Sequence, residues 1–223
     1  MPNVVVFDVI ETLLDLKALD PYFVRVFGDA GAREQWFGRV LKTALTSTIT
    51  GPYRDFGKIG AAALDMTAAL RGMQVGSEDK EQLREALANV PAHPDVVGGL
   101  GALREAGFRL ATLSNNPRES SAAQLQNANL MDFFDFVLSA DDAQRLKPAP
   151  EPYRYAAQQL GVDVAEMWMV AAHSWDIEGA HRAGWRTAFV ERSGHVMNPL
   201  ADSPTVTGPD LESVSAAILR QVH

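Results

Sequence analysis

The sequence predicts an α/β protein whose core is a parallel sheet covered by helices on both faces. Residues 4–7 are a run of β-branched and aromatic side chains, typical of a buried central strand. After Pro91, short apolar runs alternate with segments of helical period, as expected for a parallel sheet with crossover helices. Between them, residues 15–88 are helical in pattern throughout. This segment is therefore predicted to be an insertion after the first strand.

The insertion contains four amphipathic segments separated by chain breakers. The predicted helices cover residues 15–27, 36–45, 56–70 and 77–87, with breakers at Gly28, Gly51-Pro52 and Gly72. Ser77 is the expected N-cap of the last helix. We therefore predict a discontinuous core domain, residues 1–14 and 89–223, and a helical cap domain, residues 15–88, over the carboxyl ends of the strands.

The remaining elements follow the same reasoning. Strands are predicted at residues 108–113, 136–138, 167–171 and 187–190, and helices at 94–106, 117–127, 151–160, 175–183 and 210–220. Asn116 is the expected N-cap of one helix, with Pro117 as its first residue, and Ser174 is the expected N-cap of another. Residues 193–209 form the long predicted loop.

Composition narrows the classes of function. The formal net charge of -8 argues against a general nucleic-acid surface, which requires a basic face. The absence of cysteine excludes disulfides and a thiolate nucleophile, and is compatible with a reducing compartment. No segment reaches the ~18 apolar residues of a membrane span, and no signal region precedes the first strand. We expect a cytoplasmic protein that does not bind a membrane.

Polar residues follow each predicted strand at its carboxyl end, where open α/β sheets bind ligands. Asp8 and Thr12 follow the first strand, and Ser114 and Asn115 follow the second. Lys147 lies in a proline-rich loop, and His173 and Asp176 follow the fourth strand. Capping alone would explain Asp8 or Asp176, and a surface lysine is usually solvated, so no single residue decides the function.

Taken in order, Asp8, Thr12, Ser114, Asn115, Lys147 and Asp176 resemble the motifs of the haloacid dehalogenase superfamily. The resemblance covers nearly the whole chain, and the helical insertion stands where that superfamily places its cap. It implies a Rossmann-like core and an aspartyl nucleophile at Asp8.

Within the superfamily, the chain is similar to the (S)-2-haloacid dehalogenase branch. Phosphatases carry a second Asp two residues after the nucleophile, where this chain has Ile10, and Asp176 has no adjacent acid to complete a magnesium site. Lys147 and Tyr153 have the branch's six-residue spacing, and Trp175-Asp176 matches its Trp-Asp pair. The resemblance implies no metal and no cofactor, with catalytic residues Asp8, Thr12, Ser114, Lys147, His173 and Asp176, and substrate-binding residues Ile10, Arg39, Asn115, Tyr153 and Trp175.

The implied reaction turns a small halogenated carboxylic acid into a 2-hydroxy acid through an ester on Asp8. Arg39 and the helix N-terminus behind Asn115 would receive the carboxylate and the halide, with Arg33 and Arg54 competing for the role of Arg39.

The chain also departs from the family's pattern. Ile10 and Glu11 replace an aromatic residue and a glycine, and Ala171 and His173 replace a serine and an asparagine. His173 either orients and deprotonates the hydrolytic water or only joins neighbouring loops. A phosphatase and a non-catalytic binding protein remain alternative functions, and a homodimer remains open.

Overall fold

The computed structural model describes residues 4–222 and contains a six-stranded parallel sheet. The strands stand in the order β3-β2-β1-β4-β5-β6, which places β1 and β4 at the centre. In chain order the strands are β1 Val4–Phe7, β2 Arg109–Ser114, β3 Phe136–Ser139, β4 Met167–Ala171, β5 Arg186–Val190 and β6 Val206–Gly208. This is the predicted Rossmann-like arrangement, with its topological switch point between β1 and β4.

The described residues form nine α-helices, together with short 3-10 turns at Leu16–Leu19, Met131–Phe133 and Val164–Glu166. Five α-helices separate β1 from β2, and the first four of them lie in the inserted segment, as predicted. The helices are α1 Asp20–Phe27, α2 Ala32–Thr50, α3 Phe56–Leu70, α4 Ser77–Ala88, α5 Val96–Glu105, α6 Arg118–Asn127, α7 Pro150–Leu160, α8 Ser174–Arg182 and α9 Leu211–Val222.

Three predicted N-caps are wrong by one residue. Gly76 precedes α4 in place of Ser77, and its backbone N–H donates to the carboxylate of Asp79. Pro117 precedes α6 in place of Asn116, whose N–H donates to Ser114 Oγ. His173 precedes α8 in place of Ser174, because the His173 carbonyl already accepts the first N–H groups of the helix. Local hydrogen bonds decide these boundaries, and residue preference alone does not.

One strand was not predicted from the sequence. Residues 193–209, predicted as loop, contain β6, which pairs with β5 at the edge of the sheet. A strand of three residues that ends in glycine is too short for an alternating pattern to indicate it.

The central strand is buried on both faces, and its side chains alternate between two apolar clusters. Val5 and Phe7 belong to a cluster with residues of α5, α9 and the inserted helices, whereas Val4 and Val6 pack with residues of α7 and α8. The first cluster includes residues of both the sheet and the insertion. The division into a core domain, residues 1–14 and 89–223, and a cap domain, residues 15–88, therefore stays a prediction. Residues 1–3 and 223 of those ranges lie outside the described residues.

The inserted helices lie over the end of the sheet that carries Asp8. The Trp36 indole N–H of α2 donates to the carbonyl of Gly60 in α3 at 2.9 Å and joins these two helices. Between them and the sheet lies an apolar cavity of about 680 Å³, whose lining includes Ile10, Trp36, Phe37 and Phe56. In the part of the chain that the structure describes, no helix has the length and apolar character of a membrane span.

Candidate active site

Asp8 lies directly after β1 and is joined to the end of β4. Its backbone N–H donates to the carbonyl of Val170 at 3.0 Å, and Thr12 Oγ1 donates to Asp8 Oδ2 at 2.8 Å. The Thr12 hydroxyl oxygen also accepts the N–H of Ala172 at 3.0 Å, beyond the end of β4. Thr12 thus fixes the carboxylate at the switch point of the sheet, where we predicted the ligand site.

Lys147 connects two buried carboxylates. Its Nζ lies 3.0 Å from Asp8 Oδ1 and 2.6 Å from Asp176 Oδ2, and the lysine side chain is fully buried. Tyr153 donates its hydroxyl hydrogen to Asp176 Oδ1 at 2.6 Å. Asn115 accepts the backbone N–H of Lys147 at 2.8 Å, and therefore positions the lysine loop.

The charges around Asp8 favour its ionised form. Burial by itself would raise the pKa of Asp8, but the Lys147 ammonium and the hydrogen bonds from His173 and Thr12 hold it well below its usual value. Burial and the neighbouring Asp8 charge raise the pKa of Asp176, because both carboxylates share one ammonium. Burial disfavours the charged form of Lys147, yet these carboxylates raise its pKa. The arrangement therefore favours an ionised carboxylate at Asp8 although the side chain is buried.

His173 lies between Asp8 and Glu11. Its Nδ1 is 3.1 Å from Asp8 Oδ2, its Nε2 is 3.0 Å from Glu11 Oε2, and its ring stacks on Trp175 at 5.0 Å between centroids. Burial opposes the imidazolium, but hydrogen bonds and charges from both carboxylates raise the pKa of His173 to about 9. Burial also opposes ionisation of Glu11, whereas His173 and His195 lower its pKa to about 2. At neutral pH, His173 is therefore a cation in the resting site.

Glu11 adopts a backbone conformation that residues other than glycine rarely adopt. Its φ is +62°, in the left-handed region that glycine enters at no steric cost. Such a conformation costs about 1–3 kcal/mol, and it persists only where contacts with the surrounding structure hold the residue in place. Here it directs the carboxylate to His173 Nε2 and to His195 Nε2, 3.4 Å away.

A second cavity, of about 440 Å³, opens beside these residues. Its lining includes Glu11, Phe37, His173, Trp175 and His195, together with the arginines Arg33 and Arg192. Arg33 NH1 lies 3.9 Å from Glu11 Oε1, and Arg33 Nε lies 2.6 Å from Asp20 Oδ1. Arg192 donates two hydrogen bonds to the Thr12 carbonyl and pairs with Asp95.

The comparisons with known proteins agree with this geometry. Residues 2–184 match the family model described as haloacid dehalogenase-like hydrolase. The chain belongs to the haloacid dehalogenase-like hydrolases. It is 35% identical over 191 residues to (S)-2-haloacid dehalogenase 1 of Pseudomonas sp. (strain CBS-3), covering 84% of this chain and 83% of that one.

Solved structures of the same family superpose over almost the whole length of this hydrolase. The L-2-haloacid dehalogenase from Xanthobacter autotrophicus has a TM-score of 0.92 and 26% identity, covering 98% of this chain and 99% of that one. Its structure with covalently bound chloropropionic acid has a TM-score of 0.91 and 25% identity, with the same coverage.

The fold brings most of the predicted site residues of this hydrolase together. Direct contacts join Asp8, Thr12, Lys147, His173, Asp176 and Tyr153, and Trp175 covers them, with its ring 5.9 Å from Lys147 Nζ. Ile10 lines the larger cavity. Among the described residues, Ser114 forms no hydrogen bond to Asp8 or Lys147; its hydroxyl oxygen accepts the N–H of Asn116. That N–H is one of those expected to receive an anion behind Asn115.

Arg39 is not part of this cluster, and its substrate-binding role stays a prediction. Its NH1 donates to the carbonyl of Gln35 at 2.8 Å, one turn back on α2, and the residue lines neither cavity. Arg54 is exposed and also lines neither cavity. Among the three arginines weighed from sequence, Arg33 lies at the site, because the orientation of α2 turns Arg33 inward and Arg39 along the helix.

Three residues of the site had no assigned role in the sequence analysis. Glu11 was noted only as a departure from glycine, although its position between Asp8 and Thr12 indicated its location. Arg192 follows β5 by two residues, so the rule of strand carboxyl ends could have found it. His195 lies in the long loop between β5 and β6, where no sequence pattern indicates its direction.

Proposed function

We propose that this hydrolase converts a small 2-haloacid into a 2-hydroxy acid through an ester on Asp8. The observation that carries the proposal is the buried Asp8 carboxylate, held by Thr12, Lys147 and His173 at the end of β1. An ionised carboxylate with fixed orientation is suited to in-line displacement at carbon. The named relatives, and the Xanthobacter structure with a covalently bound haloacid, support the same chemistry.

The hydrogen bonds favour Asp8 Oδ1 as the attacking atom. Oδ2 already accepts from Thr12 and lies against His173, whereas Oδ1 contacts only the Lys147 ammonium among the described polar groups. A free lone pair on Oδ1 would attack the carbon that carries the halogen. The new C–O bond forms as the C–halogen bond breaks, and the halide leaves with the bonding electron pair.

Hydrolysis of the ester then restores Asp8. Once Asp8 is esterified, His173 faces one carboxylate, Glu11, in place of two, so its pKa falls. His173 loses its proton to Glu11 or to solvent in the cavity, and neutral His173 orients and deprotonates a water for attack on the ester carbonyl. The ester C–O bond breaks, and the former Oδ1 leaves as the hydroxyl oxygen of the 2-hydroxy acid with the second proton of the attacking water. The water oxygen remains in the Asp8 carboxylate, and His173 keeps the first proton as the resting cation.

Arg33 is the cation that we assign to the substrate carboxylate. Its guanidinium is almost completely buried and lines the cavity that also holds His173 and Trp175. Arginine offers a rigid fork of donors that matches a carboxylate. The apolar rings of Phe37 and Trp175 border the same space and would exclude bulk water from the ion pairs.

The test screens 2-haloacids and phosphate esters in parallel, with and without a chelator. Halide release is measured for the 2-haloacids and phosphate release for the esters. In oxygen-18 water, a single turnover should leave the 2-hydroxy acid unlabelled and put the label into Asp8, as read by mass spectrometry of the peptide. Asp8→Asn should lower the turnover rate by roughly three orders of magnitude or more, whereas the exposed matched control Asp132→Asn should match the wild type.

Two results would contradict the proposal. Label in the product after one turnover would mean direct attack by water. Magnesium-dependent release of phosphate without halide release would move the chain to the phosphatase alternative, despite Ile10 in place of the second acid. Activity that survives chelation is the result expected from the lack of a second acidic residue beside Asp8 and Asp176.

A further inference from the structure

Glu11, His173 and His195 direct three ligand atoms to one point at the mouth of the 440 Å³ cavity. These atoms lie within 4.8 Å of one another, with Glu11 Oε2 3.0 Å from His173 Nε2 and 3.4 Å from His195 Nε2. The three residues come from the β1 loop, the start of α8 and the loop after β5. The sheet topology brings them together from distant parts of the chain.

We propose that these three side chains bind a first-row divalent cation of the Zn²⁺ type. Two imidazole nitrogens and one carboxylate oxygen are the donors that such cations prefer, and three protein ligands leave a coordination position for water. Tetrahedral bonds of about 2.0–2.1 Å place ligand atoms roughly 3.3 Å apart. The distances of 3.0 and 3.4 Å to Glu11 Oε2 already approach that value.

The surroundings of His173 match those of a metal-ligating imidazole. Its Nδ1 lies 3.1 Å from Asp8 Oδ2, so that Nδ1–H donates to a carboxylate, and the cation would take the place of the proton on Nε2, which faces the other two ligands. Metal-bound histidines usually donate their second ring N–H in this way, which fixes the tautomer and the ring. Mg²⁺, which prefers an all-oxygen octahedral shell, is a poor match for these donors.

The backbone of Glu11 fixes the position of the carboxylate in this cluster. Its φ of +62° holds a carboxylate at a position where glycine would be unstrained. Within residues 4–222, the arginine that pairs with this carboxylate is Arg33, which lies on the side of Oε1 at 3.9 Å, and Oε2 faces both histidines. The Arg33 charge would weaken cation binding, but it does not occupy the ligand oxygen.

A bound cation would inhibit the reaction rather than support it, an effect that rests on the proposed function. The ion would hold His173 Nε2 and stand in the cavity beside Asp8, so His173 could no longer exchange a proton during ester hydrolysis. Inhibition by Zn²⁺ that a chelator reverses is therefore expected, although binding itself can be measured without substrate.

The test titrates chelator-stripped protein with Co²⁺ and Zn²⁺ at one pH, following the Co²⁺ absorption bands and the heat of binding. We expect one tight site per chain, weakened by about tenfold or more in His195→Ala and in Glu11→Gln. His181→Ala is the matched control, because His181 pairs with Asp202 on another surface, with Nε2 3.5 Å from its carboxylate. Thermal unfolding of each variant confirms that it is folded.

Each outcome decides the proposal. Loss of binding in His195→Ala with retention in His181→Ala supports it. Absence of a tight site in the wild type, or equal binding by wild type and His195→Ala, overturns it. Because these titrations contain no haloacid, they separate failure of the metal site from failure of the dehalogenase proposal, which halide release measures independently.

Discussion

Glu11 and His173 form an ion pair beside Asp8, with Glu11 Oε2 3.0 Å from His173 Nε2. The carboxylate belongs to a residue with left-handed backbone, and the imidazole is almost completely buried. His173 therefore has a carboxylate on each ring nitrogen, Asp8 on one side and Glu11 on the other. This pairing makes His173 a cation in the resting protein and determines how the molecule responds to pH.

The pairing predicts a pH-dependent contribution of His173 to stability, measured with chelator present. Its folded-state pKa of about 9 lies above the ordinary 6.5, so the contribution is complete below pH 6.5 and is lost as pH rises through 9. Its upper limit is about 3 kcal/mol. The free energy of unfolding of wild type minus that of His173→Gln should thus decrease across that window. A difference that grows with pH would contradict the pairing.

Replacement of His173 should separate the two halves of the reaction. In His173→Ala the Asp8 carboxylate keeps Thr12 and Lys147, so the displacement step should survive. Hydrolysis loses its base, which typically contributes roughly 10²–10⁴-fold in rate. Rapid mixing should show a burst of halide equal to the enzyme present, followed by a stall, and mass spectrometry should find the ester on Asp8. Normal steady turnover would remove His173 from the mechanism.

The contrast between two arginines of α2 tests the substrate anchor. Arg33→Lys should lower kcat/KM by roughly 10- to 100-fold, because a lysine cannot reproduce a bidentate charge-assisted contact worth about 1.5–3 kcal/mol. Arg39→Lys is the matched control, since Arg39 donates to the Gln35 carbonyl and lines neither cavity. Because Arg33 also pairs with Asp20, unfolding curves must accompany the kinetics. Sensitivity of Arg39 alone would restore the prediction from sequence.

Gly179 provides a test of how α8 positions Tyr153. A Cβ at this position would lie 2.5 Å from the Tyr153 hydroxyl and 2.7 Å from Pro148 Cβ. Gly179→Ala should therefore displace the hydroxyl from Asp176, destabilise the fold by about 1–3 kcal/mol and lower kcat. Gly101→Ala in α5, where no atom lies within 4 Å, should be neutral or stabilising by about 0.5–1 kcal/mol. Equal behaviour of the two variants in denaturation and kinetics would contradict this account.

The sequence by itself determined five of the six strands, the inserted helices and most of the residues that gather around Asp8. Val4–Phe7 could only be a buried strand, and parallel strands have their carboxyl ends at one edge, so polar residues after β1, β2 and β4 had to meet there. The order of Asp8, Lys147 and Asp176 along the chain was sufficient to indicate the family. These features follow from the hydrophobic periodicity and from the order of strands and helices along the chain, and both can be read from a single sequence.

Only the tertiary structure decided which side chains complete the site. Whether Arg33 or Arg39 lies beside Glu11 depends on how α2 is rotated against the sheet. Whether Asn115 accepts the Lys147 backbone N–H depends on the conformation of the loop that carries Lys147. His195 meets Glu11 across most of the length of the chain. Contacts between distant segments are set by packing over many residues, whereas sequence patterns report only local periodicity. For this reason the placement of Asp8 and His173 at one edge of the sheet was predictable, whereas the contacts of Glu11 with Arg33 and His195 were not.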